Sequence, residues 1–319
     1  MTTAHAPRRP KPVAILIVPL LAAIVLALFA WPSARLEPRD LPVGVAGAPA
    51  ASDPMAQRLA ANEGSFDIHR YGDEASARNA IEDREIYGAF VAGPGGGKVL
   101  TASAASPMVA QMLTHAAAEG AAPMPVEDVV TVPKAGSALA SSVLPLVIAG
   151  ILCGVLATVL ASGALGRAGL LVAGSALAGL AGTAIVQSWL DVVGGDWAAN
   201  AATLGLTVLA IGSFVAGLKA LLGEAGLILG VVTMVLVGNP FSGVGSAPEL
   251  LPEPVGGLGR LLPPGAGGNL LRSTGFFDGA GAGQHVAVLA AWAAVGFGLL
   301  LAAAARRRRP ATVVAPAPA

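Results

Sequence analysis

Residues 285–309 read HVAVLAAWAAVGFGLLLAAAARRRR, an apolar run closed by four consecutive arginines. About 18 or more apolar residues suffice to cross the hydrocarbon of a bilayer. Lys and Arg collect on the cytoplasmic side of such runs. The stretch therefore reads as a transmembrane helix whose C-terminal end lies inside the cell. Working backward along the chain, comparable runs occupy 13–31, 141–162, 168–188 and 201–218. A shorter one at 225–237 becomes a crossing over about 221–240 if flanking residues are recruited.

The expected fold is a polytopic α-helical membrane protein with six transmembrane helices. An extracytoplasmic α/β domain, 32–140, lies between the first and second helices. Residues 1–12 form a cytoplasmic tail, and 141–305 a five-helix membrane domain with its last span at 285–305. A Gly/Pro-rich extracytoplasmic loop, 239–283, precedes that span, and 306–319 is a basic, disordered cytoplasmic tail. Six crossings put both termini on one side. Arg8, Arg9, Lys11, Arg167, Lys219 and Arg306 to Arg309 all fall on that side, against Arg260 and Arg272 opposite. The positive-inside rule then places both termini in the cytoplasm of a multi-pass plasma-membrane protein. The first run is read as an uncleaved anchor, because Trp31 and Pro32 interrupt any small-x-small cleavage site.

Formal net charge is zero and 12% of residues are charged, so no basic surface points to nucleic acid. The single cysteine, Cys153, lies within the second span and cannot form a disulfide framework. Within the outer domain, 42–46 and 66–71 have strand patterning, and 86–92 with 98–102 suggest a hairpin around 93–97. Asp53-Pro54 and Ser106-Pro107 read as helix starts, and Asp73 to Arg84 as a charged helix. The helix after Ser106 has its stripe at Val109, Met112, Leu113 and Ala116, and ends at Gly120.

Motifs that would carry chemistry are incomplete. Gly97-Lys98 lacks the opening glycine and the Ser/Thr of a phosphate-binding loop, since positions 92 and 99 are Ala and Val. His69 and His115 have no metal-ligand spacing. Asp73, Glu74, Glu82, Asp83 and Glu85 are the wet face of a helix. The sequence calls for no cofactor and no catalytic residue, and the chain is not read as an enzyme. Between the spans no chain of Asp, Glu or His crosses the hydrocarbon, which argues against proton-coupled pumping. The small-residue pairs Gly150/Gly154 and Gly226/Gly230 offer faces for close helix packing.

The loop 239–283 retains Phe241, Leu250, Leu251, Leu258, Leu261, Leu262, Leu270, Leu271, Phe276 and Phe277 among its glycines and prolines. Irregular backbone at membrane depth persists only when buried in protein or lining water. The segment is either a lid over the bundle or a re-entrant element contacting substrate. Its candidate contacts are Arg272 and Asp278, with Asn269, Phe276 and Phe277.

One span, an external α/β domain and five clustered spans together resemble the ABC type-2 exporter permeases. The likeness is to the phage-infection-protein-like branch, in its actinobacterial form. It is carried by LPVGV from Leu41, AIEDREIYGAFV from Ala80, ASAASPMVAQ from Ala102 and LPPGAGGNLLR from Leu262. The resemblance implies a homodimer among membrane lipids that exports an amphiphilic or lipid-like substrate. ATP hydrolysis would fall to a separate cytoplasmic ATPase subunit, coupled through the loops at Arg167, Lys219 and Glu224. The alternative reading is a non-transporting envelope receptor or scaffold that binds through 32–140.

Overall fold

The computed structural model describes residues 12–93, 96–119, 123–133 and 136–308. The expected tail at 1–11, part of the 93–97 turn, the helix stop at Gly120 and the tail beyond Arg308 lie outside the described residues.

Among the described residues, five helices are long and apolar enough to cross a membrane: Leu16–Ser33, Leu139–Leu160, Gly163–Trp189, Trp197–Leu222 and Ala282–Arg307. They correspond to α1 (Pro12–Ser33), α5 (Leu139–Leu160), α6 (Gly163–Thr183, continued by a π-wound turn), α7 (Trp197–Leu222) and α11 (Ala282–Arg308). On α5, Leu144, Ile148, Leu152 and Leu156 face outward at every fourth position. An apolar stripe of this kind turned away from the protein suits lipid rather than water. The chain is a multi-pass, largely helical membrane protein with an inserted soluble domain.

The inserted domain holds a five-stranded mixed sheet in the order β2-β1-β3-β4-β5. Its strands are β1 (Leu41–Ala46), β2 (Phe66–Tyr71), β3 (Gly88–Val91), β4 (Lys98–Thr101) and β5 (Val126–Asp128). β1 runs parallel to β2 and β3, while β3 and β4 pair as the expected hairpin. Helices α2 (Pro49–Ala60), α3 (Glu74–Glu82) and α4 (Pro107–Ala118) cover it. Asp73 caps α3 by accepting from Ser76 N at 2.8 Å, and Ser106 caps α4 through Val109 N. Two sequence expectations shift. Helix α2 begins at Pro49 rather than Pro54, because Pro49 already supplies the preset first-turn geometry. The buried stripe of α4 includes Ala117 where Ala116 was expected.

The expected six full spans become five. Gly223, at φ +67°, ends α7 and starts α8 (Glu224–Val231), which a π-wound segment extends to Gly238. The left-handed backbone at Gly223 keeps Leu222 and its neighbours out of the new helix, and the winding stops before Asn239. Neither extension needed for a 221–240 crossing forms. The remaining helix is about 20 Å long against about 30 Å of hydrocarbon.

Helix α7 is the buried axis of the bundle, with α5, α6, α8 and α11 packed around it. Glycines make those approaches close. A Cβ at Gly154 would sit 2.5 Å from the Gly212 oxygen, and one at Gly150 would sit 2.7 Å from Ile211. Gly226 and Gly230 abut Leu218 and Val215. Both small-residue pairs read from the sequence are therefore occupied within the chain, on α7.

Candidate functional site

After Gly238 the chain leaves helical form near the middle of the bundle. Gly238 lies against Pro264, 2.8 Å from its Cγ to an added Cβ, and Gly267 abuts Thr207. Thr207 is ten residues along α7 from Trp197, which is about 15 Å of helix rise. The segment 242–246 then climbs beside α10 (Pro263–Phe276) toward the sheet domain. It descends again through α9 (Val255–Arg260), and α10 rises from the interior to the domain-bearing end. At that end Thr274 Oγ1 donates to Asn200 Oδ1 at 2.6 Å. Prolines at the first positions of α10 cost nothing there, since those N–H groups lack helical partners anyway. The loop thus folds back between the helix bundle and the sheet domain, enclosed in protein.

The sheet domain is fastened to this segment. Ala247 and Leu250 enter the core formed by Leu41, Val43, Phe90 and Val109. The backbone N–H groups of Glu37 and Arg39 donate to the oxygens of Leu250 and Glu249 at 3.1 and 3.0 Å. Ser106 Oγ donates to the Ser246 oxygen.

Between the two parts lies a polar cavity of about 200 Å³ lined by Arg84, Tyr87, Glu249, Arg260, Asn269 and His285, among others. Glu249 has both of its carboxylate oxygens engaged. Tyr87 Oη donates to Glu249 Oε2 at 2.7 Å, and Arg260 Nη2 lies 3.2 Å from Oε1. Burial, reinforced by the adjacent carboxylate, pushes the Tyr87 phenol far above its ordinary range, so it stays protonated as a donor.

Arg84 reaches the cavity through an unusual backbone. The Glu85 N–H returns to the Ala80 oxygen and the Arg84 N–H to Ile81, which closes α3 with Arg84 at the left-handed position, φ +62°. Glycine is usual there, and a side chain costs on the order of 1 kcal/mol. Held so, Arg84 donates to the Asn269 oxygen at 3.2 Å and stacks over Phe277, 5.4 Å from the ring centre. Burial lowers its pKa, with Tyr87 and Glu249 opposing the shift, but guanidinium remains charged.

The sequence candidates separate into three groups. Arg272, Asn269 and Phe277 converge on this junction: Arg272 donates to the Val244 oxygen at 2.8 Å and to Asn269 Oδ1 at 3.3 Å. Phe276 packs nearby and is partly buried, whereas Asp278 is exposed at φ +48° in the turn that ends α10. The third group lies at the opposite end of the bundle. There Arg167 donates to the Ala161 oxygen, and Lys219 pairs with Glu224 at 3.5 Å.

Arg84, Tyr87 and His285 were not singled out by the sequence as site residues. The positive φ that aims Arg84 is invisible in a helix otherwise reading as solvent-facing. Among the described residues, no group of three His, Cys, Asp or Glu side chains is placed to hold a metal.

Stability should fall as pH rises above about 10, the ordinary tyrosine value. The unfolded chain then ionises Tyr87 while the folded chain does not, so stability present below that pH is lost above it. Tyr87→Phe should flatten this alkaline limb relative to wild type in thermal unfolding scans. Tyr71, also raised by burial, remains in both proteins as the common background.

No protein-family model, curated protein or solved structure matches the chain.

Proposed function

We propose that this chain is the membrane-embedded subunit of an exporter that moves an amphiphilic or lipid-like substrate, with ATP hydrolysed by a separate cytoplasmic chain. The sheet domain faces outward from the plasma membrane and both termini are cytoplasmic. Two copies pair within the lipid, and the chain itself performs no catalysis. The observation that carries the reading is the broken fifth crossing. Two half-helices, α8 with its π-wound end and α10, abut near the level of Thr207, joined by irregular backbone that protein encloses. Interrupted helices at mid-bundle are a recurrent way to expose backbone groups and movable segments to a transported molecule. The resemblance to type-2 exporter permeases agrees with it, resting on layout and on the four sequence stretches.

A second reading, a non-transporting envelope receptor or scaffold, draws support from the opposite end. The α5–α6 connection is Ala161–Ser162 and the α7–α8 connection is Gly223, so little chain is available there to receive motion from an ATPase. Affinity purification of the tagged protein from its native membrane in mild detergent separates the two. The exporter reading expects a co-purifying ATPase whose activity changes on substitution of Arg167 or Lys219. Recovery of envelope proteins through 32–140, with no ATPase, would overturn it in favour of the second.

A further inference from the structure

We propose that the junction cavity is a binding site for a phosphate or similar oxyanion group, the headgroup end of an anionic amphiphile. The first argument is charge. Arg84 and Arg260 line the cavity, and Arg272 stands directly behind Asn269, which forms its wall. Against these three guanidinium groups the enclosed carboxylate is Glu249, already shared between Tyr87 and Arg260; Glu85 is exposed at the rim. Neither Arg84 nor Arg272 has a carboxylate within 4.0 Å among the described residues. Buried charges are ordinarily paired, so Arg84 and Arg272 leave guanidinium charge that an anion can balance, with Arg260, 39% exposed at its side chain, on the open side.

The second argument is unsatisfied hydrogen bonding. Among the described residues, Arg260 Nε and His285 Nδ1 are buried without a hydrogen-bond partner. Both belong to residues that line the cavity, and buried polar atoms left unpaired are uncommon in native proteins. Water can satisfy such atoms but cannot neutralise the excess charge. The volume, room for about six waters, suits a compact headgroup rather than a peptide or a nucleotide.

The third argument is position. Gly281, Gln284 and His285 line the cavity from the start of α11, the outermost turn of a membrane-crossing helix. With that helix across the bilayer, its outermost turn falls at headgroup level. An anionic amphiphile can therefore present its phosphate to the cavity while its chains stay in lipid. The assignment names a substrate class for the proposed exporter and depends on that reading only for the transport steps after binding. Binding is read without ATP or a partner, so failure of transport and failure of the site are distinguishable.

The test uses the full chain in detergent and follows thermal unfolding while titrating three probes: dihexanoyl phosphatidic acid, dihexanoyl phosphatidylcholine and inorganic phosphate. The expected result is saturable stabilisation by phosphatidic acid and none by phosphatidylcholine. Arg84→Gln and Arg260→Gln should each weaken the response at least tenfold. Gln284→Glu adds a negative charge at an exposed rim position and should weaken it similarly without disturbing the fold. That variant keeps the test decisive if an arginine variant fails to fold. Inorganic phosphate that binds and competes would identify the oxyanion alone as sufficient; its failure beside phosphatidic acid would assign the lipid headgroup. No stabilisation by either anion, an equal response to phosphatidylcholine, or unchanged binding in Gln284→Glu would overturn the proposal.

Discussion

Glu249→Ala should lower stability by about 1–3 kcal/mol and loosen the sheet domain from the helix bundle. That range is typical for leaving a buried donor, here the Tyr87 hydroxyl, without its acceptor; Arg260, 39% exposed at its side chain, is screened by water and adds little. Glu249 is 13% exposed at its side chain, and both of its oxygens are engaged. Its loss leaves the Tyr87 hydroxyl without its acceptor beside Arg84 and Arg260. Glu249→Gln should cost less, since an amide oxygen can still accept from Tyr87. A double-mutant cycle of Tyr87→Phe with Glu249→Ala isolates that bond. Thermal unfolding in detergent reads the energies, and limited proteolysis near the domain boundary reads the loosening. An unchanged midpoint in Glu249→Ala would mean that the apolar contact at Ala247 and Leu250 and the backbone bonds at 246–250 fasten the domain without its carboxylate.

The second large effect is expected in α9, where two glycines two residues apart behave oppositely. A Cβ on Gly259 would fall inside the van der Waals envelope of the Phe241 carbonyl oxygen, backbone that cannot step aside. A Cβ on Gly257 would meet nothing within 4 Å. Gly259→Ala should therefore destabilise by about 3 kcal/mol or more, at or beyond the upper end for overpacking, and displace the enclosed loop. Gly257→Ala should be neutral or stabilising by about 0.5–1 kcal/mol, because helix interiors favour alanine over glycine. Comparing folded yield and unfolding midpoint of the two variants checks the fold of the loop directly. Equal behaviour would show that α9 does not pack against Phe241.

The spans and strands were legible because each follows a period the sequence displays. The capped start at Ser106 needed no tertiary information, whereas the start expected at Asp53-Pro54 did not hold and the cap at Asp73 emerges only in the structure. The fifth crossing was not legible, because apolar content from Ala225 to Val237 says nothing about the φ of Gly223 or the stop at Gly238. Only contacts with α7 and Pro264 decide where that helix ends. The junction was half legible. Arg272 and Asn269 stand out as polar groups in an apolar loop, whereas Arg84 and Tyr87 look like ordinary residues of a charged helix and a strand lead-in. Their role arises from a turn geometry and a long-range meeting with Glu249, neither of which leaves a local pattern. Asp278 shows the converse, a charge conspicuous in sequence whose place is an exposed helix-ending turn.

The short α8 also bears on how the protein is made. A helix reaching only part of the way across the hydrocarbon is a poor candidate for entering the bilayer alone, because the irregular backbone after it must shed water before its partners arrive. Its close seat on α7, through Gly226 and Gly230, suits entry as a hairpin with that preceding helix. The stretch from Asn239 to Leu262 can settle only once α10 has emerged and packed beside Thr207. Final membrane topology is therefore completed late in synthesis, and the sheet domain, translated first, must wait for residues 246–250 to finish its own core.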